Sequence, residues 1–335
     1  MNSEIRCEGL KVVTIGGGNG TAAILEGMKK YTDNITTIVA VTDTGRNTGR
    51  IRKDLEVLSP GDTRNCLIAL ANSEKLMCDL FQYRFDNGHL EGYSFGNLFL
   101  ATLTKLTGSF EKAVEEASKI LKLKGKVLPA TFDMVNLCAE LEDGRVLKEE
   151  DEIIDRHNPE VYLRSPIKRV FHEPKPKVNP KAVEAIKEAD IVVLSSGSLF
   201  TSLIGNLLIE GMREALYESG AKIVYVCNMM TQISQTHEYK ASDHLKQVIN
   251  YLREKPDYVI VNTKNPAGHL IEAYKKEHSG VVENDFDNLE KIGVKVIAED
   301  VLDEGAEKKP LWEKLDLLRH DPDKIARVLV GLGGC

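Results

Sequence analysis

At 335 residues the chain is longer than a minimal domain and shorter than two ordinary enzyme domains. Its 42% hydrophobic and 28% charged residues exclude collagen-like, coiled-coil and disordered classes. Forty-four basic against fifty-one acidic residues give a net charge of −7, so there is no general basic field for a nucleic-acid backbone. No apolar run approaches the roughly 20 residues that a membrane span requires. The six cysteines (Cys7, Cys66, Cys78, Cys138, Cys227, Cys335) lie far apart with no CxxC pair, which reads as reduced thiols in a cytoplasmic protein.

In chain order, short β-branched apolar runs at 12–15, 35–41, 191–194, 223–227, 258–261 and 294–298 alternate with amphipathic stretches. That is the pattern of a parallel sheet covered on both faces. Helices are predicted over 21–30, 62–71, 94–106, 111–121, 205–218, 244–253, 269–277 and 322–329. Residues from about 127 to 180 read as an excursion, with a turn at Glu142-Asp143-Gly144-Arg145 and a Pro- and Lys-rich end. The expected fold is one three-layer, doubly wound, Rossmann-like α/β domain over 1–335. Its sheet is mostly parallel, with an inserted antiparallel hairpin region, and ligands belong at the carboxyl ends of the parallel strands.

The first strand runs into Gly16, Gly17, Gly18, Asn19, Gly20 and Thr21, a G-x-G-x-x-A form completed at Ala23. Such a turn lets a phosphate approach the N–H groups of the following helix; the bland reading is a tight strand-to-helix turn. Asp43 follows the second strand, where a dinucleotide fold places a ribose-binding acid, and Arg46, Arg50 and Arg52 follow it in a presumed loop suited to phosphate or carboxylate. Ser59-Pro60-Gly61-Asp62-Thr63-Arg64-Asn65 reads as a turn opening a helix, with Asp62 either a cap or a catalytic or metal-binding acid. Ser94 reads as a cap.

The third long strand ends in a second small-residue loop, Ser195-Ser196-Gly197-Ser198-Leu199-Phe200-Thr201-Ser202. If its strand neighbours the first, both loops overhang one crevice, across which a nucleoside diphosphate would reach. Asn228 and the amides after the fifth strand can read a base or sugar edge or cap a turn. The eight histidines lack zinc-site spacing, and neither a GxSxG elbow nor a P-loop is present.

Taken in order, Ile15-Gly16-Gly17-Gly18-Asn19-Gly20, Gly61-Asp62-Thr63-Arg64-Asn65-Cys66-Leu67, Phe81-Gln82-Tyr83-Arg84-Phe85, Gly197-Ser198-Leu199-Phe200-Thr201-Ser202, Cys227-Asn228-Met229-Met230-Thr231-Gln232 and Arg319-His320-Asp321 resemble the YvcK-like gluconeogenesis factors. These belong to the superfamily of the CofD-like 2-phospho-L-lactate transferases, and the resemblance covers nearly the whole chain. It implies a UDP-sugar-binding regulator linked to cell shape, or a phospholactyl transferase using a GDP-type carrier, a divalent metal and acidic residues. By resemblance Tyr274 and Arg319 hold the UDP-sugar; their bland readings are a helix-surface tyrosine and the residue leading into an Asp321 cap. Where the family has Asp-Asp-Gly-Gly-Ser-Ser-Gly-Arg, this chain has Asp43-Thr44-Gly45-Arg46-Asn47-Thr48-Gly49-Arg50, losing an acid and gaining a cation, which counts against Mg²⁺ there. The expected ligand contacts are the backbone of 16–21 and of 196–202, with Arg50, Arg64, Asn65, Asn228, Tyr274 and Arg319. Asp43 and Asp62 carry any chemistry, and a homodimer is compatible with this reading.

Overall fold

The structure, a computed structural model, describes residues 6–154, 165–304 and 318–334; Cys335 lies outside them. Seven parallel strands form the main sheet: β1 (Val12–Gly16), β2 (Ile35–Val39), β3 (Lys126–Pro129), β7 (Ile191–Leu194), β8 (Lys222–Val226), β9 (Tyr258–Asn262) and β10 (Lys295–Glu299). Their spatial order is β10-β9-β8-β7-β1-β2-β3. Every residue of β1 and β7 is buried, as continuous apolar runs in a doubly covered sheet require. Alternation along β1 sends Val13 and Ile15 into the core on one face and Val12 into the core on the other. The strands run outward in opposite directions from the β1/β7 pair, which is therefore the topological switch point.

A second, antiparallel sheet contains β4 (Asn136–Leu141), β5 (Val146–Leu147) and β6 (Ile167–Glu173). The predicted turn closes β4 onto β5, and Leu137, Ala139 and Leu141 pack into the core shared with the main sheet. The insertion is thus three-stranded rather than a hairpin, and it starts later than expected, because β3 pairs with β2 as the edge of the main sheet. The helix α8 (Pro180–Lys187) also falls outside it.

Further differences lie in the helices. The arginine-rich segment after Asp43 is a helix, α2 (Arg46–Leu55), rather than a loop. The stretch predicted as one helix over 205–218 is the short α9 (Gly205–Leu207), a left-handed break at Gly211, and α10 (Met212–Glu218), and it is preceded by a π-turn, Leu199–Ile204. Cys66, Cys78, Cys138 and Cys227 are free thiols, but Cys7 is disulfide-bonded, against the expectation for all six. Among the described residues no helix is long and apolar enough to cross a membrane.

Candidate functional site

The adjacency that the sequence made conditional is present: β1 and β7 pair, so the two small-residue loops meet at the switch point. The first loop enters α1 (Gly18–Met28) directly. Its glycines are required by close packing as much as by ligand approach. A Cβ on Gly20 would stand 2.6 Å from the Ser196 carbonyl oxygen, and one on Gly17 would stand 2.0 Å from Asp62 Oδ2. Thr21 Oγ1 donates to the Gly17 carbonyl (3.0 Å) and lies 2.6 Å from Ser195 Oγ. Asn206, from α9, donates to the Gly16 and Ser202 carbonyls. Together these bonds fix the loops as one surface.

The second loop is held from β8 and beyond. Asn228 Nδ2 donates to the Ser196 carbonyl (3.3 Å) and the Gly197 carbonyl (2.8 Å). Ser198 Oγ and the Gln232 side-chain amide bond each other, and Gln235 Oε1 accepts from the Phe200 amide. Thr201 is buried within the π-turn, a form that recurs where a helix start is reshaped around a site. The Asn228→Ala variant should cost about 1–2 kcal/mol in a denaturant titration, because two loop carbonyls lose their common donor. An unchanged midpoint would show that the loop keeps its shape without this clasp.

Asp62 lies in the first turn of α3 (Gly61–Leu70) and is not its cap; that position is Pro60. Its carboxylate instead accepts from the Gly18 amide at the start of α1. It therefore occupies part of the place that the helix terminus offers an anion. Burial, and then repulsion from Asp43, push its pKa up to about 7, although part of the residue stays open to the crevice. Asp43 precedes α2 and accepts from the Gly45 amide (2.8 Å).

A third acid, which the sequence reading missed, completes this group. Glu150 starts α7 (Glu150–Ile154), and the insertion folds it back so that its carboxylate accepts from the Thr44 amide (3.4 Å). Burial, then Asp43 and Asp62, hold its pKa well above the usual carboxylate range. These carboxylates repel one another, yet among the described residues no set of three or more His, Cys, Asp or Glu side chains converges as a metal-binding group.

The arginines separate. Arg52 is buried, donating to the Thr42 and Val135 carbonyls and to Asn136 Oδ1, so it is a strut between α2 and β4 rather than a ligand contact. Arg50 is exposed on α2, with its guanidinium on Asn47 Oδ1. Arg64 is buried beside Ser94, which caps α5 (Phe95–Thr107) as expected, and it also donates to Asn65 Oδ1.

On the other side of the loops, α12 (Gly268–Lys276) carries Tyr274. It is buried rather than on the helix surface, packed with Met229, Leu270, Leu302 and Leu318. Its hydroxyl accepts from the Leu318 amide (3.2 Å), next to Arg319. His320 Nδ1 lies 3.1 Å from Ser196 Oγ, and Asp321 caps α14 (Pro322–Gly333). The segment 318–320 therefore joins the Tyr274 cluster to the second loop. A cavity of about 380 Å³ opens at the ends of β8 and β9, lined by Asn228, Asn262, Thr263, Asn265 and Asn284 among others.

Residues 12–302 match the family model described as 2-phospho-L-lactate transferase CofD. The gluconeogenesis factor of Bacillus subtilis is 40% identical, the alignment covering 96% of this chain and 98% of that protein. The putative gluconeogenesis factor of Aquifex aeolicus is 41% identical, over 96% of each chain. A crystal structure from Bacillus halodurans, of a protein described as a member of the UPF0052 family, superposes with a TM-score of 0.87 at 38% identity. It covers 96% of this chain and 98% of that chain.

Proposed function

The chain belongs to the CofD family, alongside gluconeogenesis factors similar to it over nearly their full length, and from that premise we propose that it is a nucleotide-sugar-binding regulatory protein. Its ligand is a UDP-N-acetylglucosamine-like diphosphate, and its role is in cell shape and envelope synthesis on gluconeogenic carbon sources. The observation that carries the reading is the apposition of two small-residue loops at the switch point, with an amide-lined cavity beside them. The diphosphate lies over the loop backbones, where N–H groups and the α1 terminus favour an anion. The base takes the cavity, where the exposed Asn265 side chain offers both a donor and an acceptor. Tyr274, on α12, and Arg319, on the 318–320 segment, hold the sugar. In its protonated form Asp62 donates a hydrogen bond to a phosphate oxygen instead of repelling it.

Thermal unfolding with added UDP-N-acetylglucosamine tests this. Ligand at about 100 times its Kd stabilises the fold by about 2.7 kcal/mol and raises the melting temperature accordingly. No shift with any uridine or guanosine diphosphate ligand would sink the reading.

The clustering of Asp43, Asp62 and Glu150 favours a second reading, a phospholactyl transferase using a nucleoside-diphosphate-linked donor. A carboxyl with a pKa near 7 suits general-base work at neutral pH. Product formation from such a donor and a deazaflavin acceptor, abolished in both Asp43→Asn and Asp62→Asn, is the outcome this reading requires.

A further inference from the structure

We propose that the outer face of α4 (Lys75–Gln82), together with the loop after it, is a docking surface for a partner protein that presents a basic amphipathic helix. The inner face of α4 is already engaged. The Phe81 ring is buried against Phe95 and Phe99 of α5, at 6.2 and 5.0 Å between centroids, and Met77 and Cys78 pack on the same core. A helix with one side so placed ordinarily turns a polar face to water. Here Leu76, Leu80 and Tyr83, at i, i+4 and i+7 spacing, are 77%, 39% and 45% exposed. Leu90 in the loop is 42% exposed. The Tyr83 ring stands edge-on to Phe85, 5.3 Å away, and the Phe85 carbonyl accepts from the Gly92 amide (2.7 Å), so stripe and loop are held together. Single exposed leucines are ordinary, but an apolar stripe that continues into a fixed loop is the form an interaction site takes. The stripe runs into the Phe81-Gln82-Tyr83-Arg84-Phe85 motif, which the proposed ligand site leaves unused.

The charges around the stripe select its occupant. Glu74, Asp79, Asp86 and Glu91 are all exposed. Lys75 pairs with Asp79 (2.6 Å), and Arg84 is half-buried with Nη1 on the Gly92 carbonyl. Glu74, Asp86 and Glu91 therefore rim the apolar stripe as acids with no ion pair among the described residues. A second copy of this chain would set these acids against themselves across a two-fold axis, and the net charge of −7 on each copy would oppose the encounter. An anionic membrane surface meets the same repulsion. A cationic helix gains twice. Its apolar side chains interdigitate with the ridge of Leu76, Leu80 and Tyr83, and lysines or arginines along its edges meet the acidic rim.

The probe is a fluorescein-labelled peptide of about 18 residues, built of leucine and lysine with every leucine on one helical face. Its fluorescence anisotropy is followed against the full chain at physiological ionic strength. A scrambled peptide of the same composition and an amphipathic peptide of leucine and glutamate are the controls. The basic amphipathic peptide should bind saturably, and both controls at least about tenfold more weakly. Leu76→Gln with Leu80→Gln should weaken binding about tenfold or more, because two leucines are no longer buried by the peptide. Asp86→Lys with Glu91→Lys should weaken it about tenfold at low salt and less at high salt. It also serves if the leucine variant does not fold. All four side chains are exposed, so ligand-free melting temperatures should match wild type; this fold check keeps the test independent of the nucleotide reading. No binding, equal binding of the scrambled peptide, or equal binding by wild type and both variants would each overturn the proposal. So would a dimer in sedimentation velocity that Leu76→Gln with Leu80→Gln dissolves, since the face would then belong to a second copy.

Discussion

Gly20→Ala should abolish stabilisation by nucleotide sugar and cost the ligand-free protein about 1–3 kcal/mol. The added methyl group would stand 2.6 Å from the Ser196 oxygen and 2.7 Å from Ser196 Oγ, closer than packed atoms tolerate. Neither partner can yield cheaply. The Ser196 carbonyl is held by Asn228, and its hydroxyl lies against buried His320. The strain is relieved by parting the two loops, which widens the surface proposed to cradle the diphosphate. Chemical denaturation reads the stability loss, and a thermal-shift titration reads the ligand response. A variant of normal stability that still responds to ligand would show that the loops can separate without harm, and the packing account of Gly20 would be wrong.

How far the sequence exposed this arrangement follows from what each element depends on. The central strands were legible because burial on both faces demands unbroken apolar β-branched runs, and nothing distant is needed to see one. β3 was not, because it is four residues long and ends in Pro129. A proline without an N–H is tolerated there only because β3 is the sheet edge, a fact of topology rather than of local pattern. α2 was read as a loop because it carries Gly49 and few apolar residues. Its hold on the fold comes from Ile51 packing with the nearby Val57 and with Ala101, which α5 supplies from far along the chain.

The candidate site divides in the same way. Glycine loops at strand ends advertise themselves, and so did Asp43 and Asp62. Glu150 did not: an acid in an inserted segment looks like any surface acid until the insertion folds it against two others. His320 was visible only as part of a motif, and its contact with Ser196 spans 124 positions. Arg52 misled for the converse reason, since sequence shows a cation but not that it is spent on the carbonyls of Thr42 and Val135.

Asp62→Asn should stabilise the protein by about 2 kcal/mol at pH 8, give no gain near pH 4, and uncover a pH dependence that wild type conceals. Asp62 has a folded-state pKa of about 7 against an ordinary 3.8, so its neutral form suits the fold. That contribution is complete below about 3.8 and is lost as pH rises through 7. Complete burial would make the loss about 4 kcal/mol; access from the crevice argues for about half. Glu150, also raised, acts in the same direction. His320 acts in the opposite one. Burial lowers its pKa to about 4 from 6.5, so its contribution is complete above about 6.5 and is lost as pH falls towards 4. His172 and His244, lowered by burial, add to that slope. Between pH 4 and 6.5 the two sets nearly cancel, and wild-type stability should be close to flat. With Asp62 replaced by asparagine, which still accepts from the Gly18 amide, the histidine slope is opposed by Glu150 without Asp62, and stability should climb across that interval. Ligand binding should respond too: wild-type affinity for a diphosphate should fall about tenfold from pH 6 to pH 8 as Asp62 ionises beside it, whereas the variant should show little change. Urea titrations at half-unit pH steps, with parallel ligand titrations, measure both. Parallel stability curves for the two proteins would mean that Asp62 ionises without cost, and the crevice would have to be wetter than its packing indicates.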